Sequence, residues 1–260
     1  MKLENVTFSF VAGIKTACLS RKELVDVVCQ YINDYKNSRN TNAKLTPLVI
    51  FDSNGHAISL AHTNHSFYQA LKQADLVHAD GQSVVAFSRW FSNFHVPERS
   101  ATTDTIHDIP QFASAELRHY FLGGEQVVVE RCAEIMSHTY ANFHIAGTQH
   151  GFFYELEEGG IVDHINQSKA DVLWVGLGKP KEQLFVIRNK DKLTVPVIIT
   201  CGGCYNYITG DYSRAPQIWQ QWGIEWLHRC LTEPKKFFWR YLTTNPHSIY
   251  CAIKYRKLRY

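Results

Sequence analysis

Leu24, Val27, Val28, Tyr31 and Ile32 recur at helical spacing behind Ser20-Arg21-Lys22-Glu23, which has the form of a capping box, and predict a first helix. Ahead of it, residues 1–13 hold short apolar segments such as Phe8-Ser9-Phe10-Val11, suited to an edge strand or hairpin. A polar loop is expected at 37–44. Pro47-Leu48-Val49-Ile50-Phe51 then reads as a short buried strand ending at Asp52-Ser53-Asn54-Gly55. Ser66 with Gln69 boxes a second helix, whose Phe67, Ala70, Leu71 and Ala74 share one face. The apolar pair Leu76-Val77 ends in His78-Ala79-Asp80-Gly81, and a helix-like segment follows over 82–91. A polar loop at 93–103 carries Arg99. A helix is expected to start near Pro110, because proline suits the first helical turn.

From residue 119 onward the pattern alternates. Strands at 119–122, 143–146, 171–176 and 196–200 are separated by helical stretches at 126–140, before 171, and from 181 to about 190. Strand, helix, strand in regular alternation implies right-handed crossovers and a mainly parallel sheet, an α/β fold. Each strand runs into a glycine-containing loop: Gly123-Gly124, Gly147 to Gly151, Leu177-Gly178-Lys179-Pro180, and Cys201-Gly202-Gly203-Cys204. Such loops expose backbone N–H groups and helix N-termini that suit phosphate oxygens, although glycine is also ordinary turn chemistry. There is neither a Walker A lysine loop nor a GxGxxG run, which argues against a P-loop NTPase and a standard dinucleotide enzyme.

Composition narrows the class. With 260 residues, 45% hydrophobic and 20% charged, the chain is a globular protein of one large domain or a domain with an appendage. A net charge of +3 excludes a polyanion binder of the whole-chain kind. Met1 to Ala12 does not read as a signal peptide, and no apolar stretch approaches the roughly 18 residues of a membrane span. Seven cysteines, an odd number, then suggest a reduced cytoplasmic protein with free thiols.

The charge is concentrated late. No acidic residue follows Glu233, whereas Lys235, Lys236, Arg240, Lys254, Arg256, Lys257 and Arg259 do, interleaved with Phe237, Phe238, Trp239, Tyr241, Tyr250 and Tyr255. Four of the six tryptophans lie between 219 and 239, so aromatic and cationic groups coincide. That combination suits an anionic membrane surface. It also suits single-stranded nucleic acid, or a packed helix with a solvated basic face. Elsewhere, Cys201-Gly-Gly-Cys204 is a single CxxC at the end of a late strand and reads as packing or turn thiols rather than zinc or redox chemistry. The thirteen histidines show no HExxH, and no GxSxG is present. Asp80 has two local readings: a cap for the helix beginning near Gln82, or a base or sugar-hydroxyl acceptor at a strand end.

Six stretches taken together decide between these readings: ADLVHADGQSVV (74–85), YFLGG (120–124), IAGTQHGFF (145–153), DVLWVGLGKPKEQ (171–183), CGGCYNYITGDYSRAP (201–216) and GIEWLHRCLTEPKKFFWRY (223–241). In this order they resemble the WecG/TagA/CpsF glycosyltransferases. The resemblance implies a Rossmann-like domain, expected over 1–210, and a C-terminal helical, basic-aromatic appendage over 211–260 that meets the membrane and completes the active site. It implies an inverting transfer of a sugar from a UDP-sugar to a polyprenyl-diphosphate-linked saccharide, at the inner face of the cytoplasmic membrane, in surface polysaccharide synthesis. Asp80 matches the family's proposed general base, Asn54 a residue near the reacting centre, and Arg99 the arginine of the loop after the ADG helix. Arg229 and Arg240 match arginines of the appendage. Gly123, Gly124, Gly176 and Gly178 would face the nucleotide, and Gly81, Gly147, Lys181, Gln183 and Arg214 complete the substrate-binding candidates.

The chain also departs from the family pattern. Asp52 stands where threonine is common, Glu182-Gln183 exchanges an acid and an amide, Asn206 replaces a carboxylate, and Lys236 stands where arginine is common. Asp52 counts as a substrate-binding candidate, and a like charge there would strengthen Asp80 as a base. No DxD-like pair is obvious near a strand end, so neither metal nor cofactor is expected, and no nucleic-acid partner. A homo-oligomer stays open. The rival function is a non-catalytic sugar-nucleotide-binding or scaffold protein of the same pathway.

Overall fold

The computed structural model describes residues 1–38, 45–216, 218–219 and 222–256. Most of the loop expected at 37–44 lies outside these residues, as do Lys257 and Arg259 of the tail and the side chain of Lys236. In chain order the elements begin with β1 (Phe8–Val11), β2 (Ile14–Ala17), α1 (Arg21–Ser38), β3 (Leu48–Ser53), α2 (Gly55–Ala61), α3 (His65–Lys72), β4 (Leu76–Ala79) and α4 (Gln82–Phe91). There follow α5 (Thr102–Phe112), β5 (Leu117–Gly123), α6 (Gln126–Thr139), β6 (Phe143–Gln149), α7 (Glu158–Ser168) and β7 (Val172–Gly176). The last are α8 (Lys181–Asn189), β8 (Val197–Thr200), α9 (Cys204–Ile208), α10 (Glu225–Thr232) and α11 (Pro234–Lys254). The main sheet has six strands in the order β4-β3-β8-β7-β5-β6 and is mainly parallel, the α/β architecture expected.

The chain divides into two compact units. The first comprises Met1–Asn5, Lys22–Phe51 and Thr102–Tyr212; the second comprises Val6–Arg21, Asp52–Ala101 and Ser213–Tyr260. In the first unit β3, β8, β7, β5 and β6 pair in parallel, with Ile50 opposite Ile199, Ile199 opposite Trp174, and Trp174 opposite Phe121. These strands are unbroken apolar runs because helices cover both faces of a parallel sheet. Leu48, Ile50, Phe121, Trp174 and Ile198 are accordingly buried. His119 is also fully buried: its ring stacks on Phe143 at 3.8 Å, and its Nδ1 accepts from Trp174 Nε1 at 3.2 Å.

Several local expectations are corrected. Pro110 lies in the last turn of α5, not at a helix start. Thr105, Ile106 and Ile109 bury a helical face ahead of it, and Asn142 Nδ2 donates to the Pro110 carbonyl at 2.8 Å, closing the helix end. The 143–146 strand continues to Gln149. Ala146 forms a bulge between the pairs His119–Ile145 and Tyr120–Gly147, and a Cβ on Gly147 would meet the Tyr120 ring at 2.6 Å. Gly147 therefore sits inside the strand, and the turn falls to Gly151. In the second unit the cap of α3 is Asn64, whose side chain accepts from Phe67 N at 2.9 Å, so Ser66 lies within the helix; Phe67, Ala70 and Leu71 are buried as expected. The polar loop at 93–103 ends at Ala101, because α5 begins at Thr102.

The second unit carries the hairpin β1–β2, closed by Ala12 and Gly13, both with positive φ as a type I′ turn requires. α11 packs on α2 through one face. Ser248, Cys251 and Ala252 are buried on it, His247 Nδ1 meets Ser59 Oγ at 2.9 Å, and Tyr255 stacks on His62 at 4.0 Å. The segment expected as an appendage thus folds with residues 52–101.

Candidate active site

In the second unit, β3 and β4 end side by side: the N–H groups of Asp80 and Gly81 both donate to Ser53 O, at 2.9 and 3.2 Å. The next residue of β3's chain, Asn54, has two duties. Its Oδ1 accepts from Ala57 N at 3.0 Å and caps α2, a helix without a signal in the hydrophobic pattern. With Oδ1 committed to a donor, Nδ2 must face the other way, and it donates to Asp80 Oδ2 at 2.9 Å. The Asp80 carboxylate is half-buried and held by an amide across 26 residues of chain. Gly81 is needed for this approach, since a Cβ there would lie 2.9 Å from Asn54 Cβ. The N-cap position of α4 falls on Gly81, so the aspartate stands one residue outside the helix. Asp52 is buried on β3, two residues before Asn54.

Arg99 is brought to the same strand end. Its neighbour Ser100 donates from N to Ala79 O at 2.9 Å, and Ser100 Oγ pairs with His78 Nδ1 at 3.0 Å. The C-terminal segment closes on this turn: a Cβ on Gly223 would meet Gln82, the first residue of α4, at 3.1 Å. Two residues later Glu225 opens α10, accepting from Arg99 Nη1 at 2.8 Å and from Arg229 Nη2 at 2.6 Å. Burial alone would push the Glu225 carboxyl up, but Arg229 and Arg99 outweigh it and hold the group below its usual range. Asn54 thus meets Asp80, and Arg99 and Arg229 meet at Glu225. Arg240 is held differently, with its guanidinium 4.5 Å over the Phe237 ring and bonded to Tyr241 Oη at 3.2 Å. Arg214 is exposed on the segment leading to the tail.

The glycine turns belong to the first unit. A Cβ on Gly123, whose φ is +135°, would stand 2.2 Å from Gly176 O, so β5 and β7 can end this close together only with glycine there. Several of the N–H groups expected to be exposed are engaged within the unit. Gly124 N donates to Gly176 O, Gly151 N to Gly124 O, and Gly178 N and Gly202 N both to Glu182 Oε2, at 3.3, 2.9, 3.0 and 3.1 Å. A carboxylate with two backbone donors draws the turns after β7 and β8 together, and Lys179 Nζ, 3.8 Å away, balances its buried charge. Gln183 is buried and donates to Glu182 Oε1 at 3.1 Å, while Lys181 Nζ donates to Gly151 O at 2.8 Å. The N-terminus of α6, directly after Gly123-Gly124, has no side-chain cap and presents its dipole to the turn. Cys201 and Cys204 are buried free thiols, and burial pushes the Cys201 thiol up. No group of three or more His, Cys, Asp or Glu suited to a metal ion occurs among the described residues.

Glu225 was not singled out by the sequence, and Glu182 was noted only as one half of an exchanged acid and amide. The spacing of Glu225 to Arg229 is a visible i,i+4 signal. Its partnership with Arg99, 126 residues away, has no local signature.

The fold is a mainly parallel α/β sheet whose strands end in glycine-containing turns. The family model of the glycosyl transferase WecG/TagA/CpsF family matches residues 10–260, nearly the whole chain, and the chain belongs to that family. It is a glycosyltransferase family of surface polysaccharide biosynthesis, so the substrates are a sugar donor and an acceptor. No described helix is long and apolar enough to cross a membrane.

Proposed function

We propose that this glycosyltransferase moves a sugar from a UDP-sugar to a polyprenyl-diphosphate-linked saccharide with inversion at the anomeric carbon. Asp80 takes the proton of the acceptor hydroxyl. The oxygen attacks the anomeric carbon as the bond to the UDP oxygen breaks on the opposite face. Arg99 and Arg229 offset the charge that grows on the departing diphosphate. The observation that carries the reading is the Asn54 Nδ2 to Asp80 Oδ2 bond, which fixes a carboxylate at the strand end where Arg99 is also tethered. UDP release with a lipid-diphosphate acceptor tests it. Asp80→Asn is expected to lower turnover on the order of 10²-fold or more, the scale of general-base catalysis, with UDP affinity largely kept. Near-wild-type turnover in that variant sinks the assignment.

The C-terminal helix is proposed to rest on an anionic membrane surface, at the inner face of the cytoplasmic membrane. Opposite the face of α11 packed on α2, Trp239, Leu242, Ile249 and Ile253 recur at helical spacing and are all exposed, Trp239 at 70%. Phe238 and Tyr250 border this stripe, and the exposed Lys235, Lys254 and Arg256 flank it. Aromatic rings at headgroup depth and basic groups at its margin are what an interfacial helix needs. Replacing Trp239 and Ile249 together by glutamate is expected to release the protein from phosphatidylglycerol vesicles. Unchanged partitioning counts against the membrane reading.

A further inference from the structure

We infer that Glu225 is a positioning residue: its carboxylate sets the spacing and direction of the Arg99 and Arg229 guanidiniums so that they receive a diphosphate as a pair. The inference rests on the proposed role of those two arginines.

Glu225 has the geometry of a spacer. Its two oxygens are divided between two cations, Oε2 to Arg99 and Oε1 to Arg229, and the three side chains are only 14, 17 and 27% exposed in the order Arg99, Glu225, Arg229. The cations come from remote places. Arg99 rides on the loop tied to Ala79 by Ser100, and Arg229 is one turn into α10. Two guanidiniums so close in a half-buried place repel, and without an anion between them they splay into solvent. Glu225 supplies that anion, and as the first residue of α10 it is itself steadied by the helix N-terminus. One carboxylate against two arginines leaves a net positive cradle, which suits a diphosphate and which the neutral nucleoside does not need.

The test compares UDP with uridine as probes, by calorimetry on the full chain. Glu225→Gln keeps the shape, removes the charge and turns an amide N–H toward one guanidinium. UDP binding is expected to weaken on the order of tenfold and uridine binding to stay within twofold. A purely structural role would weaken both probes together or neither. Wild-type UDP affinity in Glu225→Gln, or equal losses for UDP and uridine, overturns the proposal. If Glu225→Gln does not fold, Glu225→Asp decides: it keeps the charge but withdraws it by one methylene, and UDP affinity at the wild-type level in that folded variant overturns the proposal as well. Arg99→Ala and Arg229→Ala separate this inference from the reading beneath it. If both keep wild-type UDP affinity and turnover, the diphosphate role of the arginines falls. If they lose UDP affinity while Glu225→Gln does not, the spacer role alone falls.

Discussion

Asn54 offers a way to separate folding from chemistry, because its two side-chain bonds go to different places. Oδ1 caps α2 at Ala57 N, and Nδ2 holds Asp80. Asn54→Ala removes both. Loss of the cap costs about 1 kcal/mol, and a half-buried carboxylate deprived of a charge-assisted donor adds about 1–2 kcal/mol, so about 2–3 kcal/mol is expected in total. For a chain of this size that corresponds to a fall in melting temperature on the order of 5–10 °C. Asn54→Ser keeps an oxygen able to cap α2 but has no N–H to reach Asp80, so it should retain about 1 kcal/mol of what alanine loses. Turnover should behave differently from stability. Both variants free Asp80 from its holder, and both should lose about tenfold in turnover, the equivalent of one hydrogen bond of about 1.4 kcal/mol in the transition state. Urea unfolding measures the first quantity and UDP release from donor and acceptor the second. Equal unfolding midpoints for the serine and alanine variants would refute the capping half. Full turnover in the serine variant would refute the claim that Asn54 holds Asp80 for reaction.

Two further outcomes follow from the first unit. Gly123→Ala should cost at least about 3 kcal/mol in urea unfolding, because the added Cβ falls 2.2 Å from Gly176 O at a φ of +135°, and a wild-type midpoint would show that β5 and β7 can part without penalty. Burial, reinforced by His144, pushes the His119 imidazole down to about 3, so the folded protein keeps it neutral while the unfolded chain takes up a proton below about 6.5. Stability should therefore fall as pH drops from 6.5 toward 3, by about 2 kcal/mol at pH 5 from this group alone, and His119→Gln, which can still accept from Trp174, should remove that slope from pH-dependent unfolding.

Much of the scaffold is legible from local pattern. The runs at 48–51, 172–176 and 197–200 are β-branched and apolar because a parallel sheet buries both faces, and the glycines after them mark where each strand stops. The helix expected over 82–91 and α4 coincide, since its apolar positions and the Asp80-Gly81 turn agree. Pattern misled where one residue had two possible jobs. Pro110 suited a helix start, but the buried face of Thr105, Ile106 and Ile109 lies ahead of it and makes it a helix end. Ser66 fitted a capping box, but Asn64, two residues earlier, is the side chain that meets the free N–H of Phe67. Helix α2 was missed because seven residues with scattered apolar positions give little periodicity, and its existence turns on the Asn54 cap.

What the sequence determined by itself was therefore the class of fold and the turns at strand ends, which follow from periods of a few residues. Asp80, Asn54, Arg99 and Arg229 were singled out by the family resemblance, not by period or side-chain type. Tertiary structure alone decided how those groups meet. It set the amide of Asn54 against Asp80 by spending the other end of that amide on a helix cap. It placed residues 213–260 in the same unit as residues 52–101, and so brought Glu225 to Arg99 across 126 residues. It also turned Glu182 inward onto the N–H groups of Gly178 and Gly202, a role that the exchanged acid and amide of Glu182-Gln183 did not reveal. The physical reason is common to all three. A charged or amide group is satisfied by whichever donor the packed chain delivers, and that partner is set by strand order and helix docking, which short-range pattern does not encode.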